Sequence, residues 1–343
     1  GLSMFGDLHI DPITGIRQSG EQRLAELIEE IKLADEIKLD VLGIGEHHRE
    51  EYAISSPEIV LAAAATVTKQ IKLSSSVTVL GSSDPVKLYQ NFALVDLISN
   101  GRSELMAGRG SFTESFPLFG YDLSDYNALF EEKLDLFLQI NSKETINWNG
   151  QFRAPLQNQK IFPRAVNNKI PVWIAAGGTR ESAIRAGRLG LPIVFAVIAG
   201  TPLLHFQPLY ELYREVYEKS GHDMDQFQVG MFSHGLFGED SKTVSDYYYP
   251  LYAAQMDRIG RTRGWSPFHR NQYDFGRSKE GAMFVGDAEE TIDKILYAHE
   301  LYGITRFFTH MDVGAPSHLH LMKSIEIFGT KIAPKIREVL HKK

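Results

Sequence analysis

Short apolar runs alternate along this chain with longer segments whose apolar residues return every three or four positions. Leu2–Leu8 is short and apolar. Glu21–Lys38 then places Leu24, Leu27, Ile28, Ile31 and Ala34 at helical spacing. Val41–Gly45 reads as a strand. Ser55-Ser56-Pro57-Glu58 is a helix start, with a Ser cap, Pro at the first helical position and an acid in the first turn. That helix reaches about Thr68. Lys72–Leu80 is rich in β-branched residues and predicts a strand. Pro85 opens a helix to about Ser99, which Asn100-Gly101 ends. Ser103–Gly108 is the fourth strand. These units recur at about 30 residues, the size of one strand–helix repeat.

The second half continues the alternation. Asn127–Gln139 predicts a helix. Glu144–Pro155 predicts a hairpin with Asn149-Gly150 at its turn, an insertion spanning about 143–160. Pro171–Ala176 and Glu181–Arg188 form the fifth unit. The apolar stretch Leu189 to Gly200 holds the sixth strand, followed by helix Pro202–Lys219. Gln228–Gly235 and Lys242–Met256 make the seventh unit. Asp257–Met283 is basic, aromatic and Gly-bearing with weak periodicity, and reads as a long irregular loop. Loops of that length inside a compact domain are commonly lids or binding loops. Glu289–Leu301 is helical, Arg306–His310 is the eighth strand and Pro316–Val339 the closing helix. Eight strand–helix units imply a single α/β domain over 1–343, a closed (β/α)8 TIM barrel. A doubly wound sheet is the alternative.

Composition narrows the class. The chain has 343 residues, 43% hydrophobic and 23% charged, in the range of a soluble enzyme. A net charge of −7 argues against a nucleic-acid partner, which needs a basic stripe. With no cysteine, disulfides, thiolate metal sites and cysteine nucleophiles are excluded. The start, Gly1-Leu-Ser-Met-Phe, lacks signal-peptide character. Its longest apolar stretch falls short of the roughly 20 residues a bilayer requires. A cytoplasmic protein with no membrane partner is therefore expected.

Four groups of residues carry candidate chemistry. Val41–Gly45 ends in Glu46-His47-His48-Arg49. Ionisable groups at the end of a buried strand are costly unless paired or used, and barrels build active sites at strand C-termini. Adjacent strand residues point to opposite faces, so one of His47 and His48 enters the barrel mouth. Met106-Ala107-Gly108-Arg109-Gly110-Ser111 sets an arginine between glycines, which suits bidentate phosphate binding. Ile174–Ser182 runs a strand through Gly177-Gly178-Thr179 into a helix, an anion-binding arrangement. Ser74-Ser75-Ser76-Val77-Thr78 leaves room for something flat. A surface or packing role is the alternative for each group. His318 and His320 read as surface residues, and no three residues have the spacing of a metal site. A Walker loop and a dinucleotide fingerprint are both absent.

Taken in order, Glu46-His47-His48, Asp84-Pro85-Val86, Val95–Arg102, Gly108-Arg109-Gly110, Val172–Thr179 and Gly190-Leu191-Pro192 resemble the bacterial luciferase-like flavin monooxygenase family. The resemblance runs from Phe5 to the last helix. It implies FMN bound at the C-terminal mouth of the barrel and His47 as the catalytic histidine. Arg109, with Gly110 beside it, would bind the flavin phosphate, and Gly177, Gly178 and Thr179 would complete that site. Ser76 and Val77 match a pair joined by a non-prolyl cis peptide beneath the flavin ring. Reduced FMN would come from a separate flavin reductase and, with oxygen, oxygenate a small organic substrate. His47 would act as acid or base with a pKa near neutral, and Asp257–Met283 would close over the site. A deazaflavin used for hydride transfer, or a flavin-binding protein without catalysis, are the alternatives. The family implies a homodimer, here through helix Ile59–Val67 with Leu61 and Ala62–Ala65. Two departures, Gly177-Gly178 in place of luciferase's Glu-Ser and the lack of its reactive cysteine, count against light emission and an aldehyde substrate.

Overall fold

A computed structural model describes residues 1–10, 14–110, 112–198 and 201–341. Ser111 and Ala199-Gly200, at the ends of two expected segments, lie outside the described residues. Eight strands pair in parallel and close: β1 (Leu2–Met4), β2 (Val41–Ile44), β3 (Lys72–Ser75), β4 (Ser103–Gly108), β5 (Val172–Ala176), β6 (Ile193–Ala196), β7 (Val229–Phe237) and β8 (Arg306–His310). Each pairs with the next in sequence, and β1 closes the ring against β8 with Leu2 opposite Thr309. This is the expected (β/α)8 barrel. Strands β1, β2, β4 and β7 are buried along their whole length. They read as apolar runs because helices cover one face and the barrel interior fills the other.

Short polar side chains cap the starts of two helices of the first half. Ser19 accepts from Gln22 N–H ahead of α1 (Gly20–Glu36), and Asp84 from Lys87 N–H ahead of α3 (Pro85–Ser99). Between them, α2 (Pro57–Val67) starts on its proline. Asn100 ends α3 in the left-handed region at φ 58°. The motif that follows is structural. Arg102 donates to the carbonyls of Ala65, Thr68, Ile71 and Ser99. Asp96 accepts from the backbone N–H groups of Ser103 and Val166. Both fasten the end of the barrel away from the mouth.

Four expectations change. The third strand stops at Ser75 and resumes only for Thr78–Val79, with a cis Ser76–Val77 peptide between the two pieces. The hairpin pairs Thr145–Trp148 with Leu156–Lys160, but its connection is longer than an Asn-Gly turn. The carboxylate of Glu132 on α4 (Tyr126–Ser142) takes the N–H groups of Gln151, Phe152 and Arg153 and organises residues 149–155 instead. Asp257–Met283 is mostly regular. After α5 (Arg180–Leu189) and α6 (Gln207–Lys219), helix α7 runs from Ser241 to Arg263, and α8 spans Arg270–Arg277. A strand, Met283–Gly286, then pairs with the outer part of β7. The closing helix is broken by a π-turn at Phe328–Ile332. No described helix is long and apolar enough to cross a membrane.

Candidate active site

The C-terminal ends of the strands gather the sequence-derived candidates around one mouth. His47 follows β2 and is 9% exposed. Its ring packs against Tyr52, Phe5 and Phe112, with centroids at 4.2, 4.8 and 5.0 Å. His48 turns away, with Nε2 2.9 Å from Glu46 Oε1 and its ring against Phe119. The other Glu46 oxygen accepts from Val79 N–H. Alternation thus separates the two histidines, and His47 is the one that enters. Burial, then the charge of His310, push the His47 pKa down to about 3. His47 is therefore neutral at ordinary pH, rather than poised near neutrality as its residue type suggested. Its Nε2 is buried without a hydrogen-bond partner.

A floor lies beside it. Ser74, Ser75, Ser76 and Thr78 are all buried. Ser75 bonds the backbone of Met106 on β4, and Ser76 Oγ accepts from Ser3 Oγ at 2.9 Å. Glycines flank the Ser76–Val77 pair for a steric reason. A Cβ on Gly43 would lie 2.6 Å from Ser76 Cβ, and one on Gly108 would lie 2.6 Å from Val77 Cγ2. The half-buried Val77 is thus sunk between neighbouring strands, which leaves a low, small-residue surface facing the mouth.

Arg109 and the β5 turn meet at the other side. Arg109 donates to Asn127 Oδ1 and Thr179 Oγ1, each at 2.7 Å, and to Ser182 Oγ at 3.4 Å. Tyr126 lies under its guanidinium and donates its hydroxyl to Gly110 O. No carboxylate pairs with Arg109 among the described residues. Thr179 is the N-cap of α5, yet its hydroxyl is engaged with Arg109 and Ser182 and does not cap the helix. The first N–H groups of α5 are thereby left for another acceptor. A Cβ on Gly177 or Gly178 would meet nothing within 4 Å, so the space before them is open. A fixed cation, a helix start and an open glycine approach fit a phosphate monoester.

The structure also assembles residues that the sequence did not flag. Asp312, just beyond β8, is fully buried. Its carboxylate accepts from the N–H groups of Phe5 and Gly6 and from Arg23, which is itself paired to buried Glu30 at 2.9 Å. His310 Nε2 is 3.0 Å from Asp312 Oδ1 but not in hydrogen-bond geometry with it, and its Nδ1 is also buried and unpartnered. Burial opposes the charge on Asp312, but His310, Arg23 and the backbone donors hold its pKa well below the usual carboxylate range. Asp7 is the reverse: burial, then the charge of Asp312, raise it well above that range. Polar atoms of Asp7, His310 and Asp312 lie within 4.8 Å of one another. Sequence spacing hid this set because it joins the two ends of the chain. A cation there would compete with Arg23 and with the donors that already occupy the Asp312 lone pairs, so the cluster suits shared protons better than a metal. His234 on β7 completes the wall, with Nδ1 2.9 Å from the Tyr252 hydroxyl. His318, expected at the surface, instead bridges Glu29 and Glu30.

A strand-end histidine, a sunken floor and an arginine beside an open helix start surround one barrel mouth. The family model for luciferase-like monooxygenases matches residues 5–305. An alkanal monooxygenase alpha chain from Aliivibrio fischeri is 23% identical over 316 residues, covering 85% of this chain and 88% of that one. The oxygenating constituent of 3,6-diketocamphane monooxygenase from Pseudomonas putida, a type II Baeyer–Villiger monooxygenase solved in complex with FMN, superposes with a TM-score of 0.74 at 20% identity. That alignment covers 98% of this chain and 99% of that one. An F420-dependent secondary alcohol dehydrogenase superposes with a TM-score of 0.73 at 16% identity, covering 98% and 99%. Motif order, barrel geometry and the family match agree: this chain belongs to the luciferase-like monooxygenase family.

Proposed function

We propose that this protein is a two-component FMN monooxygenase, using reduced FMN from a separate reductase and oxygen on a small organic substrate. The observation that carries the reading is the unneutralised Arg109 beside the open start of α5, a receptor for the single phosphate that FMN bears. Arg109, Gly110, Gly177, Gly178 and Thr179 would hold that phosphate, and Ser76 and Val77 would lie beneath the ring. The flavin, when bound, supplies the oxygen chemistry. The protein's own part is to bind, orient and exclude water. Phe5, Tyr52 and Phe112 dry the space around His47, which strengthens any polar contact made there. Neutral His47, with a buried and unpartnered Nε2, would hold or take a proton at a bound oxygen.

Anaerobic titration with reduced FMN and with reduced deazaflavin tests the cofactor. The reading expects reduced FMN to bind at least about tenfold tighter. Preference for the deazaflavin would move the assignment to hydride transfer, the reading favoured by the F420-dependent neighbour. Binding of neither would leave only the fold. His47→Ala is expected to keep FMN affinity and lose turnover by about 10²–10⁴-fold, the usual contribution of a positioned acid or base. Unchanged turnover would remove His47 from the mechanism. Because its pKa lies near 3, no inflection of the rate between pH 5 and 8 should vanish with this variant.

The reading includes a cytoplasmic homodimer. Leu61, Ala64 and Ala65 of α2 are buried within the chain and cannot form the contact, which leaves the half-buried Ala62 and the exposed Ala63 of the expected patch. The exposed apolar face is instead Ile59 on α2 with Leu94, Leu97 and Ile98 on α3, each 46% exposed or more. Gel filtration is expected to give about twice the 38.6 kDa chain mass, and Leu97→Glu to return it to the monomer. A wild-type monomer would refute the dimer.

A further inference from the structure

The mouth has a second cationic pole. Arg258 lies on α7, which follows β7, and is half-buried. Its Nε and Nη2 both donate to Gln255 Oε1, at 3.2 and 2.6 Å, and it has no ion pair with any described carboxylate. Gln255 is 3% exposed and donates to the Tyr52 hydroxyl, and the Tyr52 ring packs tilted against His47 at 4.2 Å. Arg258 is thus two side chains removed from His47. Among the described residues, the charged groups facing it are Asp7, Glu51 and Arg261. None neutralises it: Glu51 is paired with Arg49 at 2.9 Å, Arg261 repels it, and the buried Asp7 carboxyl favours its protonated form.

This pole is not the phosphate pole. Arg109 follows β4 and Thr179 follows β5, whereas Arg258 reaches the rim between β7 and β2, across the ring. A half-buried guanidinium with a free edge and no counter-ion is costly unless an anion completes it. Phe5, Tyr52 and Phe112 pack around His47, and Tyr52 is the ring that Gln255 ties to Arg258.

We propose that the substrate is an organic anion, a carboxylate or sulfonate with an apolar or aromatic body. Its charge docks on Arg258, and its body lies against Phe5, Tyr52 and Phe112 beside His47. The proposal deepens the flavin reading and rests on it only in assigning the opposite, Arg109 pole to the cofactor. Arginine suits the task because its planar fork offers donors in the geometry of a carboxylate while Nε and Nη2 stay on Gln255.

Phenylacetate and its neutral isostere phenylacetamide are the probes, titrated calorimetrically into the full-length protein at low salt. Phenylacetate is expected to bind at least about tenfold tighter, a preference of charge alone. Arg258→Gln should abolish the preference, and Arg258→Lys should retain part of it. Arg109→Gln should leave it intact. Thermal unfolding accompanies each variant, and Arg258→Met serves if the Gln variant fails to fold. Equal binding of acid and amide, no binding of either, a preference that survives removal of Arg258, or one lost with Arg109 would each overturn the proposal. FMN affinity is read in parallel. If wild-type protein prefers the acid but does not bind FMN, the flavin reading fails and the anion site stands.

Discussion

Arg109→Gln is expected to weaken reduced FMN binding by roughly 10- to 100-fold while leaving riboflavin affinity unchanged. The argument is one of charge and geometry. Arg109 is held at a fixed position by three neutral oxygens, those of Asn127, Thr179 and Ser182, with no carboxylate among the described residues to consume its charge. A phosphate arriving there gains a charge-assisted contact, worth about 1.5–3 kcal/mol, with no competing ion pair to break. Glutamine keeps a donor but loses the charge and the fork. Riboflavin lacks the phosphate and should not sense the change, so the ratio of the two affinities is the measurement. An unchanged ratio would show that this pocket does not receive the cofactor phosphate and would remove the main support for FMN.

Asp312→Ala is expected to cost about 3–5 kcal/mol of stability, the usual penalty for stranding a buried charge. Arg23 would be left with Glu30 alone, and the N–H groups of Phe5 and Gly6 would lose their acceptor in a site closed to water. The pH dependence has a definite sign. The folded-state pKa of Asp312 is depressed, so its contribution is present above the unfolded value of about 3.9 and lost as pH falls through the folded one. The folded-state pKa of Asp7 is raised, so whatever it contributes is present below the unfolded value and is lost as pH rises through the folded one. Asp7→Asn should therefore be neutral or stabilising at pH 7, where Asp312→Ala is most damaging. Urea unfolding of both variants at pH 5 and 7 checks the pair. Equal effects of the two substitutions would contradict this division of roles.

The barrel was legible because each strand carries its own signal, an apolar run ended by a turn and followed by helical spacing. Ser103–Gly108 and Arg306–His310 appear in the structure with the boundaries that pattern predicts. The placement of His47 and Arg109 at the mouth was legible by the same logic, since an ionisable residue directly after a buried strand has one address in a barrel. What the sequence hid depended on distance or on context. Asp7, His310 and Asp312 are local strand-end residues too, but their meaning lies in contacts across about 300 positions. Arg258 sits inside a helix whose pattern is interrupted by Pro250 and a run of tyrosines, so α7 read as ending early and its last turns as loop. The Asn149-Gly150 turn lost to a tertiary partner, because Glu132 offers its neighbours' N–H groups an acceptor that a tight turn would not.

The seam between β1 and β8 has a consequence for how the protein is made. The N–H groups of Phe5 and Gly6, just after β1, find their acceptor in Asp312, which follows them by 307 and 306 residues. At ribosomal speeds of about 5–20 residues per second, roughly 15–60 s separate the two ends. Throughout that interval the nascent chain carries an open β1 edge and an Arg23–Glu30 pair that lacks its third member. The unit that shuts the ring leaves the ribosome long after β1, so a growing chain cannot acquire its working mouth in instalments.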